Sequence, residues 1–306
     1  MSVLDLGSNT FNLLIAAIEA DRWTTLYETK TAVKFGRVGN AKDPQEKADA
    51  LALGKKVLAE YHGTIQSFAC THHHAFGTES FRNFKESEDF LQEFEANYSY
   101  PITIITGEEE ADYIFHGVHG TLPKDLESYI IMDIGGGSVE FILVEKGDIY
   151  NKLSFPIGAI PMHKQVLSKE NYSIDDYKHW DRSLAPFIDE LKQQSQALST
   201  TTLIGSSGSF DTFYDVLNYP QQNKDGVHRF RFSELNKLLC ELPQMDYTSR
   251  RAIKGMIPFR AEYIGYAAYL TQTVLRALSI TTIYQSSHSL KEGVIAKHYY
   301  GKHTHH

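Results

Sequence analysis

The stretch IIMDIGGGSVEFILVEKG, residues 130–147, runs from one apolar segment into another through three glycines and a serine, with Asp133 at the end of the first segment and Glu140 near the start of the second. Short apolar runs flanking a glycine-rich turn read as two strands of a hairpin. Glycines at such a turn allow positive φ and leave backbone N–H groups uncovered, so that consecutive donors can converge on a phosphate oxygen. The Ser138 hydroxyl adds a donor. An aspartate ending the preceding strand would repel that phosphate, and its presence makes sense if a hard cation such as Mg²⁺ bridges the two. A plain two-residue hairpin turn with incidental glycines is the competing reading.

The stretch has a partner. LDLGSNTFNLLIAAIE (4–19) superposes without a gap on MDIGGGSVEFILVEKG (132–147), placing Asp5 on Asp133, Gly7 on Gly135, Thr10 on Ser138 and Asn12 on Glu140. The copies lie 128 residues apart in a chain of 306, close to the usual domain size of about 150 residues, so the chain reads as two related α/β halves. A third glycine-rich turn, LIGSSGSF (203–210), follows another predicted strand. Three phosphate-cradling turns imply a ligand with more than one phosphate. Neither a Walker A pattern nor G-x-G-x-x-G occurs at these turns, which sets aside P-loop and dinucleotide readings.

Strands and helices alternate through both halves, as in mixed α/β domains. DPQEKADALALGKKVLAEYHG (43–63) opens with Asp43 as N-cap and Pro44 at the first helical position, and the pattern ends it at Gly63. The Pro/Gly-containing segment around 122–125 is the expected boundary. The domains then run over 1–122 and 123–300, with the last helix near 290–300 returning to the first domain and 301–306 a disordered tail. The three consecutive histidines of THHHAFGT (71–78) alternate faces in an extended segment and cannot converge on one ion.

The formal charge of −8 argues against general binding of nucleic acid or membrane surfaces. It leaves room for a polyanion in a local pocket. KTAVKFGR (30–37) is net positive, and TSRRAIKGMIPFRAEY (248–263) gathers four basic residues against one glutamate. Solvated basic faces are the more ordinary reading of each segment taken alone, and Lys34, Arg37 and Arg260 are candidates for holding such a ligand. No window reaches the ~20 apolar residues of a membrane helix. No signal peptide is visible and two cysteines make no disulfide framework, so a cytoplasmic protein is expected.

ITGEEEADYIFHGV (105–118) reads as a helix. Thr106 and Glu109 have capping-box spacing, and Glu109 points nearly opposite the apolar stripe of Ala111, Ile114, Phe115 and Val118. Glu108 and Glu110 lie at the borders of that stripe, and periodicity does not choose between them as a cleft-facing carboxylate.

Taken in order, DLGSNTF (5–11), GTESFR (77–82), TGEEEA (106–111), DIGGGSVE (133–140), GSSGS (205–209), FRAE (259–262) and LKEG (290–293) resemble the motif set of the exopolyphosphatase and guanosine pentaphosphate phosphohydrolase family, Ppx/GppA, over nearly the whole chain. The resemblance implies an α/β fold of two ribonuclease H-like domains of the actin-like/sugar-kinase superfold, with the active site in an interdomain cleft. It implies Mg²⁺-dependent removal of terminal phosphate from inorganic polyphosphate or from guanosine pentaphosphate, with Mn²⁺ as an alternative cation. Glu110, the glutamate directly before the alanine, matches the family's general base. Asp133 and Glu140 match metal-binding carboxylates, with Asp5 a further candidate. The turns Gly7, Ser8, Asn9, Thr10 and Gly135, Gly136, Gly137, Ser138 match phosphate loops, Gly208 and Ser209 the third loop, and Arg82 a phosphate-binding arginine. Thr10, Val139, Ser209, Lys291 and Glu86 depart from the family pattern. Glu86, in place of an asparagine, bears on the path of the substrate chain. A nucleotide-binding ATPase or alarmone sensor of the same fold is the alternative, the expected form is the short two-domain one, and a homodimer is a candidate assembly that the residues do not decide.

Overall fold

The computed structural model describes the chain except residues 20–21, 42, 84–85, 99, 165–171, 221–224 and 301–306. The tail expected at 301–306 therefore lies outside the described residues, as does the side chain of Glu86. Two compact units are present: Met1–His116 together with the segment from Leu290, and Gly117–Ser289. The sequence places the bounds at 1–122 and 123–300. The structure passes from the first unit to the second within the helix Gly107–His119 and returns to the first at Leu290, where the helix Leu290–Ile295, all of it buried, packs on the first strand.

The first unit holds a five-stranded sheet of β1 (Ser2–Leu6), β2 (Thr10–Ile18), β3 (Trp23–Ala32), β4 (His73–Gly77) and β5 (Thr103–Ile104), in the order β3-β2-β1-β4-β5. The first three strands are antiparallel, and β4 and β5 run parallel to β1. The second unit repeats this plan with β6 (Tyr129–Ile134), β7 (Val139–Glu145), β8 (Asp148–Phe155), β9 (Thr202–Ser206), β10 (Val227–Arg229) and β11 (Thr282–Ser286), in the order β10-β11-β9-β6-β7-β8. Read from β8 to β11 the two sheets match strand for strand, and β10 is an antiparallel addition at the edge. This is the expected pair of ribonuclease H-like α/β domains.

Burial explains why the central strands are nearly continuous apolar runs. Every residue of β6 is buried, and the helix Ser207–Leu217 packs on it. Each unit has its own core: Phe11, Phe35, Phe81 and Phe90 anchor the first, where the rings of Phe35 and Phe81 stack 4.6 Å apart, and Trp180, Phe210, Phe213 and Tyr266 anchor the second. The long helix Pro44–Ser67 starts as expected, with the Asp43 side chain accepting from the Gln45 N–H. It does not stop at Gly63. Ile65 continues the buried stripe of Ala50, Gly54, Val57, Leu58 and Tyr61, and that packing outweighs the propensity cost of about 1 kcal/mol for one glycine.

His73 and His74 open β4 and take its two faces, and His72 precedes the strand. His73 bonds to the Ser2 hydroxyl through Nδ1 at 2.9 Å and stacks on Tyr100, while His74 stacks on His298 with ring centroids 4.7 Å apart. Burial, and then the neighbouring His298, push the His74 pKa down from 6.5 to about 4. A neutral folded histidine against an unfolded one that binds a proton means that stability falls as pH drops from about 6.5 towards 4. Melting temperatures between pH 7 and 4.5 should fall more steeply for the native chain than for His74→Phe; equal slopes would remove His74 as the cause.

Candidate functional site

In the first unit the β1–β2 turn is closed by the Gly7 N–H donating to the Thr10 carbonyl at 3.0 Å. The turn's other carbonyls are held from behind. Ser8 accepts from the Gly36 N–H at 2.7 Å, and Asn9 from the N–H groups of Val33 and Lys34 at 3.0 and 2.9 Å. In a trans peptide the N–H points opposite the preceding C=O. The amides of Asn9 and Thr10 are therefore turned away from residues 33–36. Lys34 takes φ 54 to make this contact, and its own carbonyl accepts from the Arg37 N–H at 2.9 Å, so the backbone brings both candidate basic residues beside the turn.

The β6–β7 turn in the second unit repeats the device with one more amide. Gly135 N–H closes on the Ser138 carbonyl at 3.0 Å, and the carbonyls of Gly135, Gly136 and Gly137 accept from Ala159, Ile160 and Gly158 at 3.2, 2.8 and 3.0 Å. The N–H groups of Gly136, Gly137 and Ser138 consequently face away from residues 158–160, in the manner of an anion-binding nest. Gly158 permits the approach: a Cβ there would lie 2.4 Å from the Gly137 carbonyl carbon and 2.6 Å from the Ser138 nitrogen. Gly158→Ala should displace the turn, costing about 1–3 kcal/mol of stability and slowing phosphate release. A denaturant midpoint and an activity equal to those of the native chain would contradict this.

The two turns differ in what closes them at the sheet. Asp5 faces Asn12 across β1–β2, and the Asn12 amide donates to Asp5 Oδ2 at 2.8 Å. Asp133 faces Glu140 across β6–β7, where neither side chain can donate to the other in ionised form. Both are buried, at 4% and 1% exposure. Hydroxyls are among their partners, and Arg260 is a charge partner of Asp133. Ser154 donates to Glu140 Oε1 at 2.9 Å, and Ser206, Ser207 and Ser289 donate to Asp133 Oδ2 at 2.6, 2.8 and 2.8 Å. Opposed buried carboxylates are costly unless a cation lies between or beside them. Among the described residues no group of three or more His, Cys, Asp or Glu side chains converges. The donor set thus fits Mg²⁺, which takes one or two carboxylates and completes its shell with phosphate oxygens and water, better than it fits a cation needing a protein-only cage. In the first unit the buried Oδ1 atoms of Asn9 and Asn12 have no hydrogen-bond partner, which leaves acceptors near Asp5 as well.

The third turn lies where β9 meets the helix Ser207–Leu217. Gly208 makes room for a basic group: a Cβ on it would sit 1.9 Å from Arg260 Nη2. Arg260 is thereby brought onto the turn beside buried Ser209, with Asp211 and Asp133 as the nearest charges. Burial pushes its pKa down from the usual arginine value, and those two acids push it back up.

On the helix Gly107–His119 the three glutamates have different surroundings. Glu109 Oε2 accepts from the Thr106 N–H at 2.8 Å, and the Glu109 N–H donates to Thr106 Oγ1 at 3.1 Å, which completes the capping box. Glu108 is exposed. Glu110 is the carboxylate held inward, with Arg82 Nη1 donating to its Oε2 at 3.3 Å and to the Ile105 carbonyl at 2.5 Å; the side chains are 13% and 22% exposed. Pattern reading passed over Glu79, whose Oε2 accepts from the Ser8 hydroxyl at 2.9 Å inside the first turn, and Ser154 and Ser289. Ser206 and Ser207 stood in the quoted GSSGS motif without a role. None of these carries a periodic or spacing signal; only the glycine-rich context of the third turn pointed to the last two.

Two α/β units of one strand order, each with a hairpin turn whose amides face one way, are those of a protein of the doubled ribonuclease H-like class. A model of the Ppx/GppA phosphatase family matches residues 14–300, and the chain belongs to that family, whose members hydrolyse phosphoanhydride bonds. It is 27% identical to a putative exopolyphosphatase of Haemophilus influenzae over 96% of this chain and 90% of that one. It is 22% identical to a guanosine-5'-triphosphate,3'-diphosphate pyrophosphatase of Aeromonas hydrophila, of whose length it spans 58%. Among solved structures, an exopolyphosphatase of Cytophaga hutchinsonii matches at TM-score 0.90 and 30% identity, covering 98% of this chain and 97% of that one. The Ppx/GppA family member of Aquifex aeolicus matches at 0.81 and 21% identity, covering 99% and 98%. Among the described residues no helix is long and apolar enough to cross a membrane.

Proposed function

We propose that the chain is an Mg²⁺-dependent exopolyphosphatase that releases terminal orthophosphate from inorganic polyphosphate with Glu110 as general base. The observation that carries the reading is the doubled cradle: amides of Asn9 and Thr10 in one unit, and of Gly136, Gly137 and Ser138 in the other, each turned to one side by carbonyls tied behind. A backbone cradle for phosphate oxygens in each unit suits a ligand made of phosphate groups, and a polymer of phosphate alone needs no base pocket. The similarity to exopolyphosphatases at 27% and 30% identity supports the same substrate class.

In this reading the cradle amides, the Ser138 and Thr10 hydroxyls, Gly208–Ser209 and Arg82 hold phosphate oxygens, and Lys34, Arg37 and Arg260 hold the body of the chain. Asp133 and Glu140 would hold the cation, with Asp5 as a further ligand; when bound, the cation neutralises charge developing on the phosphoryl oxygens. Glu110 Oε accepts a proton from the attacking water. Arg82 keeps that carboxylate in one orientation, and a preorganised base loses little on reaching the transition state.

The test is phosphate release from polyphosphate, guanosine pentaphosphate and ATP side by side, with and without Mg²⁺. Steady cation-dependent release from polyphosphate, with little from ATP, is expected. Release from the pentaphosphate alone would move the assignment to the phosphohydrolase branch, and nucleotide binding without turnover would replace it by a sensor.

A further inference from the structure

Asp133 and Asp5 occupy the same position in the two repeats, yet they are secured differently. Asp5 Oδ2 takes the amide of the facing Asn12. Glu140 occupies that facing register in the second unit and has no proton to give when ionised, and Asp133 Oδ2 collects three hydroxyls instead. They come from separate places: Ser206 at the end of β9, Ser207 at the first position of the following helix, and Ser289 beyond β11, immediately before the chain leaves the unit.

Two local departures accompany the arrangement. Ser206 is the N-cap of the helix Ser207–Leu217, but its side chain makes no cap bond, because its hydroxyl is given to Asp133. Ser207 is held at φ 65, a left-handed conformation that a serine adopts only under constraint, and there its hydroxyl reaches Asp133 and lies 3.3 Å from that of Ser289. Three donors on one oxygen leave the carboxylate a single orientation, with Oδ2 occupied and Oδ1 as the atom to offer.

We infer that Ser207 and Ser289 are positioning residues that lock Asp133 through Oδ2 so that Oδ1 is presented to a divalent cation. The inference rests on Asp133 being a cation ligand, as proposed above. Outer partners that orient a ligating carboxylate typically change metal affinity 10–100-fold when removed.

Mn²⁺ binding to the full chain without substrate, followed by electron paramagnetic resonance, reads this directly. Ser207→Gly and Ser289→Ala should each weaken Mn²⁺ binding about tenfold and raise the Mg²⁺ concentration needed for half-maximal rate by a similar factor. Ser289→Thr should restore binding, since it keeps the hydroxyl. Ser207→Gly relieves the left-handed strain as it removes the hydroxyl, so its melting temperature should not fall, which separates lost positioning from lost folding. Asp133→Asn is the control for the underlying reading. If it abolishes Mn²⁺ binding while both serine variants bind as the native chain does, the positioning role is wrong and the ligand assignment stands. If Asp133→Asn itself binds Mn²⁺ normally, both fall. A phosphoryl group trapped on Ser207 during turnover, detected by mass spectrometry, would overturn the inference by making that serine a nucleophile.

Discussion

Glu110→Gln lowers the rate of phosphate release at least about a hundredfold, the lower range for loss of a general base, while Glu109→Gln changes it little. The contrast between neighbours follows from where each carboxylate goes. Glu109 is spent on the helix start, accepting the Thr106 N–H, and glutamine can accept the same bond, so neither helix nor rate should suffer. Glu110 is turned inward against Arg82. Glutamine there keeps the shape and can still accept from the guanidinium, but it cannot take a proton from water. Arg82 keeps its bond to the Ile105 carbonyl in either case, so the loss appears in kcat and not in the melting temperature. Equal losses in the two variants would show that the acidic helix start acts only through its overall charge.

Glu140→Asn turns the second hairpin into a copy of the first and should have opposite effects on activity and stability. An asparagine facing Asp133 can donate to it as Asn12 does to Asp5, removing the like-charge opposition across β6–β7. Like charges directly opposite cost about 0.2–1 kcal/mol, and a gained hydrogen bond offsets the lost bond from Ser154. In cation-free buffer the variant should therefore melt about 1–3 °C higher than the native chain. Its rate should fall at least about a hundredfold, since the second carboxylate toward the cation is gone. Mg²⁺ should raise the melting temperature of the native chain and leave that of the variant nearly unchanged, because only a state that binds the cation is stabilised by it. A variant still stabilised by Mg²⁺ to the native extent would exclude Glu140 as a ligand.

The two repeats make the comparison possible, and they were legible because hairpins are local. Asp5 and Asn12 are seven residues apart, as are Asp133 and Glu140, and strand pairing across a short turn fixes which side chains meet. The capping box at Thr106 and Glu109 was legible for the same reason, its partners being three residues apart. Gly63 misled because propensity is weak beside packing: Ile65 is buried in the core, and the helix runs on to Ser67.

What secures the candidate site is of the other kind. Ser8 meets Glu79 and Asp133 meets Ser206 at separations of 71 and 73 residues, Ser289 reaches Asp133 across 156, and Gly158 backs a turn whose carbonyls it helps to tie down. A serine among many has no periodicity or spacing that marks it, and its single hydroxyl acquires direction only when distant strands are set side by side. The amino-acid sequence by itself thus determined the doubled strand-turn-strand plan and the residues facing each other within each hairpin, since both depend on contacts a few residues long. Tertiary structure alone decided which hydroxyls, amides and guanidinium groups surround those residues, since hydrogen bonding of that kind is set by the order of strands in the sheet.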